Sequence, residues 1–413
     1  MKNIVILGAG TGGTMVANKL AHDLSPNEWK ITIVDKDPRH FYQPGFLFIP
    51  FGIYTANDVI KPKKNFLPST VNYVIGEIEI IEPAQTQVTL TDGSVLPYDY
   101  LVIATGTRLA PEEIEGMMGD GWYKNIFDFY TLEGATLLAK HLDKWQGGRL
   151  VVNVAEMPIK CPVAPLEFLF LADWYFTEKG MRDKVELIYA TPLPGAFTKP
   201  VSTAVLQSTL DDKDIRVETE FDIMEVDNET QVIRSYDERE VAYDLLVTIP
   251  TNMGAKAIIN SGLGNELGFV PTDPRTLQSK HHENIFVIGD AANVPTSKAG
   301  SVVHFELETV IENIKNHMAG LPLEPTFDGH ANCFIESGHG KAYLIDFNYE
   351  TQPLMGHYPI PRVGPFTLLE ETRANHLGKL GFKWAYWNMM LKARPMLVSN
   401  QMSMAGKVPV SEN

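Results

Sequence analysis

Hydrophobic and polar positions along the chain alternate in the rhythm of an α/β protein. Ile4 to Leu7 is a short apolar run, and the glycine-rich stretch Gly8 to Gly13 breaks it. From Thr14 onward Val16, Leu20 and Leu24 share one face of a predicted helix. Ile31 to Val34 predicts a second strand, ending at Asp35. Residues 71–104 read as a meander: Val71 to Ile81 and Gln87 to Leu90 favour strands, Asp92-Gly93 is a hairpin signal, and Tyr100 to Ala104 is a buried strand. From Thr131 the period lengthens. Leu137, Leu138 and Leu142 predict a helix that stops at Gly147-Gly148. A strand at Leu150 to Val154, a helix at Leu166 to Phe176 and a strand at Val185 to Tyr189 complete a second α/β unit. The polar stretch Asp211 to Asp214 reads as a solvated loop, Ile285 to Ile288 as a buried strand and Val302 to His317 as a helix. Beyond Gly320 the spacing is irregular and aromatic, and no internal repeat is visible.

The fold class expected from this pattern is α/β, with two Rossmann-like three-layer domains and a C-terminal amphipathic segment. The boundaries expected are 1–108 with 251–330 for a split first domain, 109–250 for the second, and 331–413 for the segment that follows. Length and composition agree: 413 residues suit two or three domains, and 44% apolar with 21% charged residues is the balance of a folded globular chain. A net charge of −16 argues against nucleic-acid binding, because phosphate contacts need a basic surface. The chain has two cysteines, Cys161 and Cys333. That is too few for a disulfide scaffold or for a structural zinc site without histidine partners, so no metal is expected. Neither a charged leader nor a cleavage site precedes the first strand, and no apolar run is long enough to span a bilayer.

Gly8, Gly10 and Gly13 form G-x-G-x-x-G between a strand and a helix, the context in which that spacing binds a dinucleotide. The first glycine permits the tight turn, the second lets backbone approach a pyrophosphate, and the third lets helix and strand pack closely. The helix N-terminus offers free N–H groups to the anion. Asp35, 22 residues past Gly13, is placed to accept from ribose hydroxyls. Tyr100-Leu-Val-Ile-Ala-Thr-Gly106 and Ile285-Phe-Val-Ile-Gly-Asp-Ala-Ala292 resemble the two signature strands of disulfide-reductase-type flavoproteins. The resemblance implies FAD, with Asp290 on its ribityl chain. The second domain lacks the glycine turn that would hold NAD(P)H. Its first strand runs into Ala155-Glu-Met-Pro-Ile-Lys-Cys-Pro162, where Glu156 would repel a diphosphate and two prolines remove donors.

Cys161 precedes a predicted helix and follows Lys160, surroundings that favour a thiolate. With Phe41-Tyr-Gln-Pro-Gly-Phe46, Lys160-Cys-Pro-Val-Ala-Pro-Leu-Glu167, Lys298-Ala-Gly-Ser-Val-Val-His-Phe305 and Cys333-Phe-Ile-Glu-Ser-Gly-His-Gly-Lys-Ala342, the chain resembles the sulfide:quinone oxidoreductases throughout. The resemblance implies that Cys161 and Cys333 flank the flavin and pass sulfane sulfur between them; Cys161 as flavin attacker and Cys333 as sulfur carrier is the favoured assignment, and the sequence leaves the reverse open. It implies Pro44, Thr105 and Gly106 as further cofactor-binding residues. The third cysteine of many members is missing: the matching stretch, Asn125 to Leu132, holds Phe127 and Asp128 instead. Glu167 is a candidate proton acceptor if burial raises its pKa. Lys298 is expected at the pyrimidine end of the flavin, stabilising charge on the reduced ring.

Residues 376–397 gather Leu377, Leu380, Trp384, Trp387, Met390 and Leu391 onto one broad helical face, with Lys379, Lys383, Lys392 and Arg394 as cationic heads and Pro395 as terminator. Such a helix lies in a membrane interface. The resemblance implies that it opens a quinone pocket, for which Phe334, Tyr358 and Phe366, with Pro361 and Leu368, are candidate lining residues. The expected activity is oxidation of hydrogen sulfide to sulfane sulfur or polysulfide with a membrane quinone as acceptor, by a peripheral, monotopic protein whose assembly into a homo-oligomer stays open. Type II NADH:quinone oxidoreductase, flavocytochrome-type sulfide dehydrogenase and a flavin-binding redox sensor are the alternatives.

Overall fold

A computed structural model describes residues 1–396 and 398–408; the remaining positions of the expected 331–413 segment lie outside the described residues. The chain opens with strand β1 (Lys2–Leu7), helix α1 (Thr11–Asp23) and strand β2 (Trp29–Asp35). Strands β3 (Asn72–Ile75), β4 (Tyr100–Ile103) and, after a long excursion, Ile285–Val287 complete a five-stranded parallel sheet. Its order is Ile285–Val287, β4, β1, β2, β3. Apolar runs without alternation form these strands because both faces of a parallel sheet are covered. Ile4, Ile6, Leu101, Val102 and Phe286 are all fully buried. The meander expected over 71–104 is smaller than its sequence pattern: only Ile78–Glu82, Gln87–Leu90 and Val95–Pro97 pair antiparallel, while β3 and β4 join the parallel sheet.

The second unit has the same logic. Ile126–Phe127, Leu245–Ile249, strand β5 (Gly148–Val154), strand β6 (Val185–Ala190) and Ile215–Glu218 form, in that order, another parallel sheet. Helices α2 (Leu132–Lys144) and α3 (Ala164–Glu178) fall where the leucine spacing placed them. Thr131 caps α2 by accepting from Gly134 N at 2.9 Å. The solvated-loop expectation at Asp211 to Asp214 is corrected: Asp211 and Asp212 are the last turn of helix α4 (Pro200–Asp212), whose weak amphipathic pattern hid it.

After helix α5 (Gly300–Met318) the irregular aromatic stretch turns out to be regular. Strand β7 (Ala331–Gly338) pairs antiparallel with β8 (Lys341–Phe347), then β9 (Met355–Ile360) with β10 (Gly364–Leu368). Helix α6 (Arg373–Ala385) follows and continues as a π-helical turn, Tyr386–Met390. Chain end and chain start meet there: Asn18 Nδ2 on α1 donates to Leu391 O at 3.1 Å. Among the described residues no helix is long and apolar enough to cross a membrane.

Candidate active site

The glycine turn shows why each glycine stands where it does. Gly8 has a left-handed φ of +97°, and a Cβ there would lie 2.4 Å from Ala104 O. A Cβ on Gly13 would lie 1.8 Å from Gly8 O, so helix and strand could not close. Gly10 instead faces open space, and it caps α1 with neither a side-chain cap nor an acidic residue in the first turn. Gly106, also with open space at its Cβ position, and the buried Thr105 hydroxyl, which has no partner in the chain, lie on the loop leaving β4. An uncapped helix N-terminus, two open glycines and an orphaned hydroxyl fit the phosphate-bearing part of FAD. Asp35, expected to accept from a ribose, is turned onto the glycine turn: its Oδ2 accepts from Ala9 N at 2.7 Å and pairs with Lys63 Nζ at 2.7 Å. Lys63, buried and also donating to Asp37 O, is a member of this site that no spacing in the sequence announced.

Asp290 stands on the turn after Ile285–Val287. Burial raises its carboxyl above the usual range, against the pull of Lys298 and Lys160. Glu306 on α5 holds this turn by accepting from Gly289 N at 2.7 Å, and burial pushes Glu306 up to about 8. Lys298 has partners within the chain that the sequence did not announce. Its ammonium is buried, donates to the carbonyls of Asp290 and Ala292 at 2.8 Å, and lies 4.0 Å from the centre of the Phe269 ring. Its charge therefore braces the Asp290 loop from within. Pro44 belongs to the turn Gln43–Phe48, whose Gln43 side chain accepts from Lys160 Nζ at 2.9 Å.

The loop leaving β5 has no glycine turn; it delivers Cys161. Glu156 is exposed there, and Cys161 takes a left-handed φ of +50°. Three hydrogen bonds hold that strained residue. Cys161 N donates to Lys298 O at 2.7 Å, and Cys161 O accepts from Ala164 N at 2.9 Å and from Tyr130 OH at 3.1 Å. The loop is thus tied directly to the segment that follows Asp290. Cys333 sits on β7, and both cysteines are free thiols. Burial raises the pKa of each. Lys379 and Lys160 pull Cys161 back down, while the Cys161 charge and Asp346 push Cys333 further up. Lys379, which donates to Phe334 O beside Cys333, and Asp290 both act on the Cys161 charge, and both thiols are half-buried.

Glu167 is buried in the first turn of α3 and is ion-paired with Lys379 of α6. Its Oε1 also accepts from Glu336 N at 2.6 Å, and Lys379 Nζ donates to Phe334 O at 3.0 Å. Together the two side chains satisfy the edge of β7 that β8 leaves open, on either side of Ile335. One buried pair therefore joins the helix that follows Cys161 to the strand that carries Cys333. Glu167, the candidate proton acceptor, is buried and charge-paired, and Lys379, expected as a cationic membrane head, points inward instead. Burial draws the Lys379 ammonium well below its ordinary pKa. Lys383 is likewise engaged, 3.9 Å from the centre of the Tyr54 ring and 3.7 Å from Asp58.

The expected single apolar face of residues 376–397 divides in two. Leu377 and Trp384 are exposed at 67% and 65%, whereas Trp387, Met390 and Leu391 are buried. The helix also ends at the π turn, ahead of Pro395. Phe334 and Phe366 meet edge to face at 5.3 Å, and Gly378 admits them: a Cβ there would lie 2.5 Å from Phe366 and 2.8 Å from Phe334. Tyr358 faces Phe366 across the β9–β10 ladder, and its hydroxyl accepts from Asn332 Nδ2 at 2.9 Å. Pro361 is exposed and Leu368 buried, which separates them from this aromatic set.

The chain is similar to known proteins over most of its length. Residues 2–155 match the family model described as pyridine nucleotide-disulphide oxidoreductase. The mitochondrial sulfide:quinone oxidoreductase of Dictyostelium discoideum is 29% identical over 398 residues, covering 95% of this chain and 86% of that protein. The mitochondrial sulfide:quinone oxidoreductase of Mus musculus is 26% identical over 94% of this chain and 86% of its own length. Among solved structures, the sulfide:quinone oxidoreductase of Aquifex aeolicus superposes with a TM-score of 0.78 at 20% identity, over 95% of this chain and 92% of that one.

Proposed function

The chain is a relative of the sulfide:quinone oxidoreductases along nearly its whole length, and from that premise we propose that it oxidises hydrogen sulfide to sulfane sulfur and reduces a quinone. The observation that carries the reading is the hydrogen bond from Cys161 N to Lys298 O, which ties the cysteine loop to the segment that follows Asp290. In the oxidised enzyme a disulfide joins the two cysteines. Hydrosulfide attacks on the Cys333 side, an S–S bond breaks, and Cys333 keeps the incoming sulfur as a persulfide. The bonding pair of the broken link leaves on Cys161 as a thiolate. Lys379 and Lys160 are the cations that favour this thiolate against the cost of its burial. Bound FAD, held by the turn at Gly8, Gly10 and Gly13 with Thr105, Gly106 and Asp290, supplies the two-electron relay from sulfur to quinone. We assign the quinone site to Phe334, Tyr358 and Phe366, because Phe334 and Phe366 meet edge to face beside α6 and Tyr358 faces Phe366 across the β9–β10 ladder.

Nothing in the β5 loop favours a nicotinamide dinucleotide, since the turn that would hold one is spent on Cys161. Anaerobic addition of sulfide is therefore expected to bleach the flavin absorbance stoichiometrically, and decylubiquinone to restore it, while NADH leaves the spectrum unchanged. Bleaching by NADH instead would point to the type II NADH:quinone oxidoreductase reading.

Membrane association runs through the exposed side chains of α6 and the β9–β10 hairpin. Leu377 and Trp384 stand out with Ile360 and Val363, exposed at 55% and 74%, and Arg362, Arg373 and Arg394 are exposed around them. Apolar side chains ringed by cations suit a bilayer interface. The double variant Leu377→Asp, Trp384→Asp is expected to lose at least about tenfold in affinity for anionic vesicles by co-sedimentation. Its flavin content should be unchanged; undiminished vesicle binding would rule this surface out.

A further inference from the structure

The end of α6 reaches a place its membrane-facing half does not suggest. Tyr386, first residue of the π turn, is buried, and its hydroxyl lies 2.8 Å from Thr11 Oγ1 and 2.7 Å from His40 Nε2. Thr11 is the first residue of α1, directly after the open Gly10 of the flavin turn. His40 is fully buried and held neutral, its pKa lowered to about 3 by burial and by Lys63, with the Ala9 backbone opposing. We take the single ring proton to lie on Nε2, 2.7 Å from the Tyr386 oxygen, as part of the proposal that follows. A donor chain follows: His40 Nε2–H donates to the Tyr386 oxygen, Tyr386 O–H donates to Thr11 Oγ1, and the Thr11 proton is left free to turn to the mouth of the glycine turn. An anion there aligns every dipole in the series.

We propose that Tyr386 is a flavin-positioning residue: through Thr11 it aims a hydroxyl proton at the diphosphate of FAD, so the C-terminal segment helps retain a cofactor bound 375 residues earlier. The surroundings keep the phenol in place without that bond. Tyr386 packs against Tyr42 at 4.9 Å and Trp387 at 5.2 Å, and Trp387 stacks on Phe66 at 5.2 Å. Tyr386→Phe therefore removes a hydroxyl and little else. The inference rests on flavin binding alone and does not depend on sulfide as substrate.

The test measures FAD affinity of the full-length apoprotein by quenching of flavin fluorescence. A hydrogen bond aligned on a charged group predicts a rise in Kd of about tenfold for Tyr386→Phe and at least as much for Thr11→Val. Because Tyr386 acts through Thr11, the double variant should bind no worse than Thr11→Val. Thr11→Ser, which keeps the hydroxyl, should bind like the parent. An unchanged Kd in Tyr386→Phe, strictly additive losses in the double variant, or failure of Thr11→Ser to retain affinity would each overturn the proposal.

Discussion

Cys161→Ser and Cys333→Ser are each expected to abolish sulfide-dependent quinone reduction, by a factor on the order of 10³ or more, while the purified variants keep their FAD. A serine oxygen can neither hold a sulfane sulfur nor leave as a stabilised thiolate, so removal of either member breaks the relay. Serine accepts the same φ of +50° at position 161 at a similar cost to cysteine, so the tie to Lys298 O survives. Neither sulfur belongs to the glycine turn, which is why flavin content should hold. Turnover with decylubiquinone and the flavin-to-protein absorbance ratio are the two measurements. A variant that retained turnover would show that sulfur does not travel between these two residues.

Lys379→Met should damage both stability and activity. It leaves the Glu167 carboxylate buried with Glu336 N as its remaining partner and removes the largest cationic influence on Cys161. Breaking one side of a buried pair costs about 3–5 kcal/mol, which urea denaturation of the holoprotein resolves readily. Glu167→Gln should be nearly as costly, because Lys379 then lies buried without its counter-charge. In the double variant Glu167→Gln, Lys379→Met no charge is stranded, and the glutamine oxygen can still accept from Glu336 N. Most of the stability should return there while activity stays low, since Cys161 has lost its cation. Stability losses that simply add would mean that the two residues do not act as a pair.

The sequence and the structure agree best where the physics is local. Val16 and Leu20 declare α1, and the three glycines declare the turn, because helix period and backbone clearance are set within a few residues. Two of the second unit's strands, Leu150 to Val154 and Val185 to Tyr189, were legible as mainly apolar runs, whereas Ile126–Phe127, Ile215–Glu218 and Leu245–Ile249 were not read from the sequence. The strands of residues 331–347 were hidden because their aromatic and polar residues follow no clean period of two: β7 buries Glu336 and Ser337 beside Ile335. Lys379 was misjudged for a different reason. A helical pattern says which residues share a face but not what that face meets, and its partner Glu167 is 212 residues away.

What the sequence determined by itself was the flavin turn, the absence of a second such turn, and the identity of the two thiols, all written in residue type and short spacing. Tertiary structure alone decided that Asp35 pairs with Lys63 and Lys298 with the Asp290 loop, that Lys379 pairs with Glu167 inside the fold, and that Tyr386 reaches Thr11. Each of those depends on a charge or hydroxyl finding its partner across the fold. Burial makes such a partner obligatory, since an unpaired polar group away from water is costly, but the chain order does not say which one it will be.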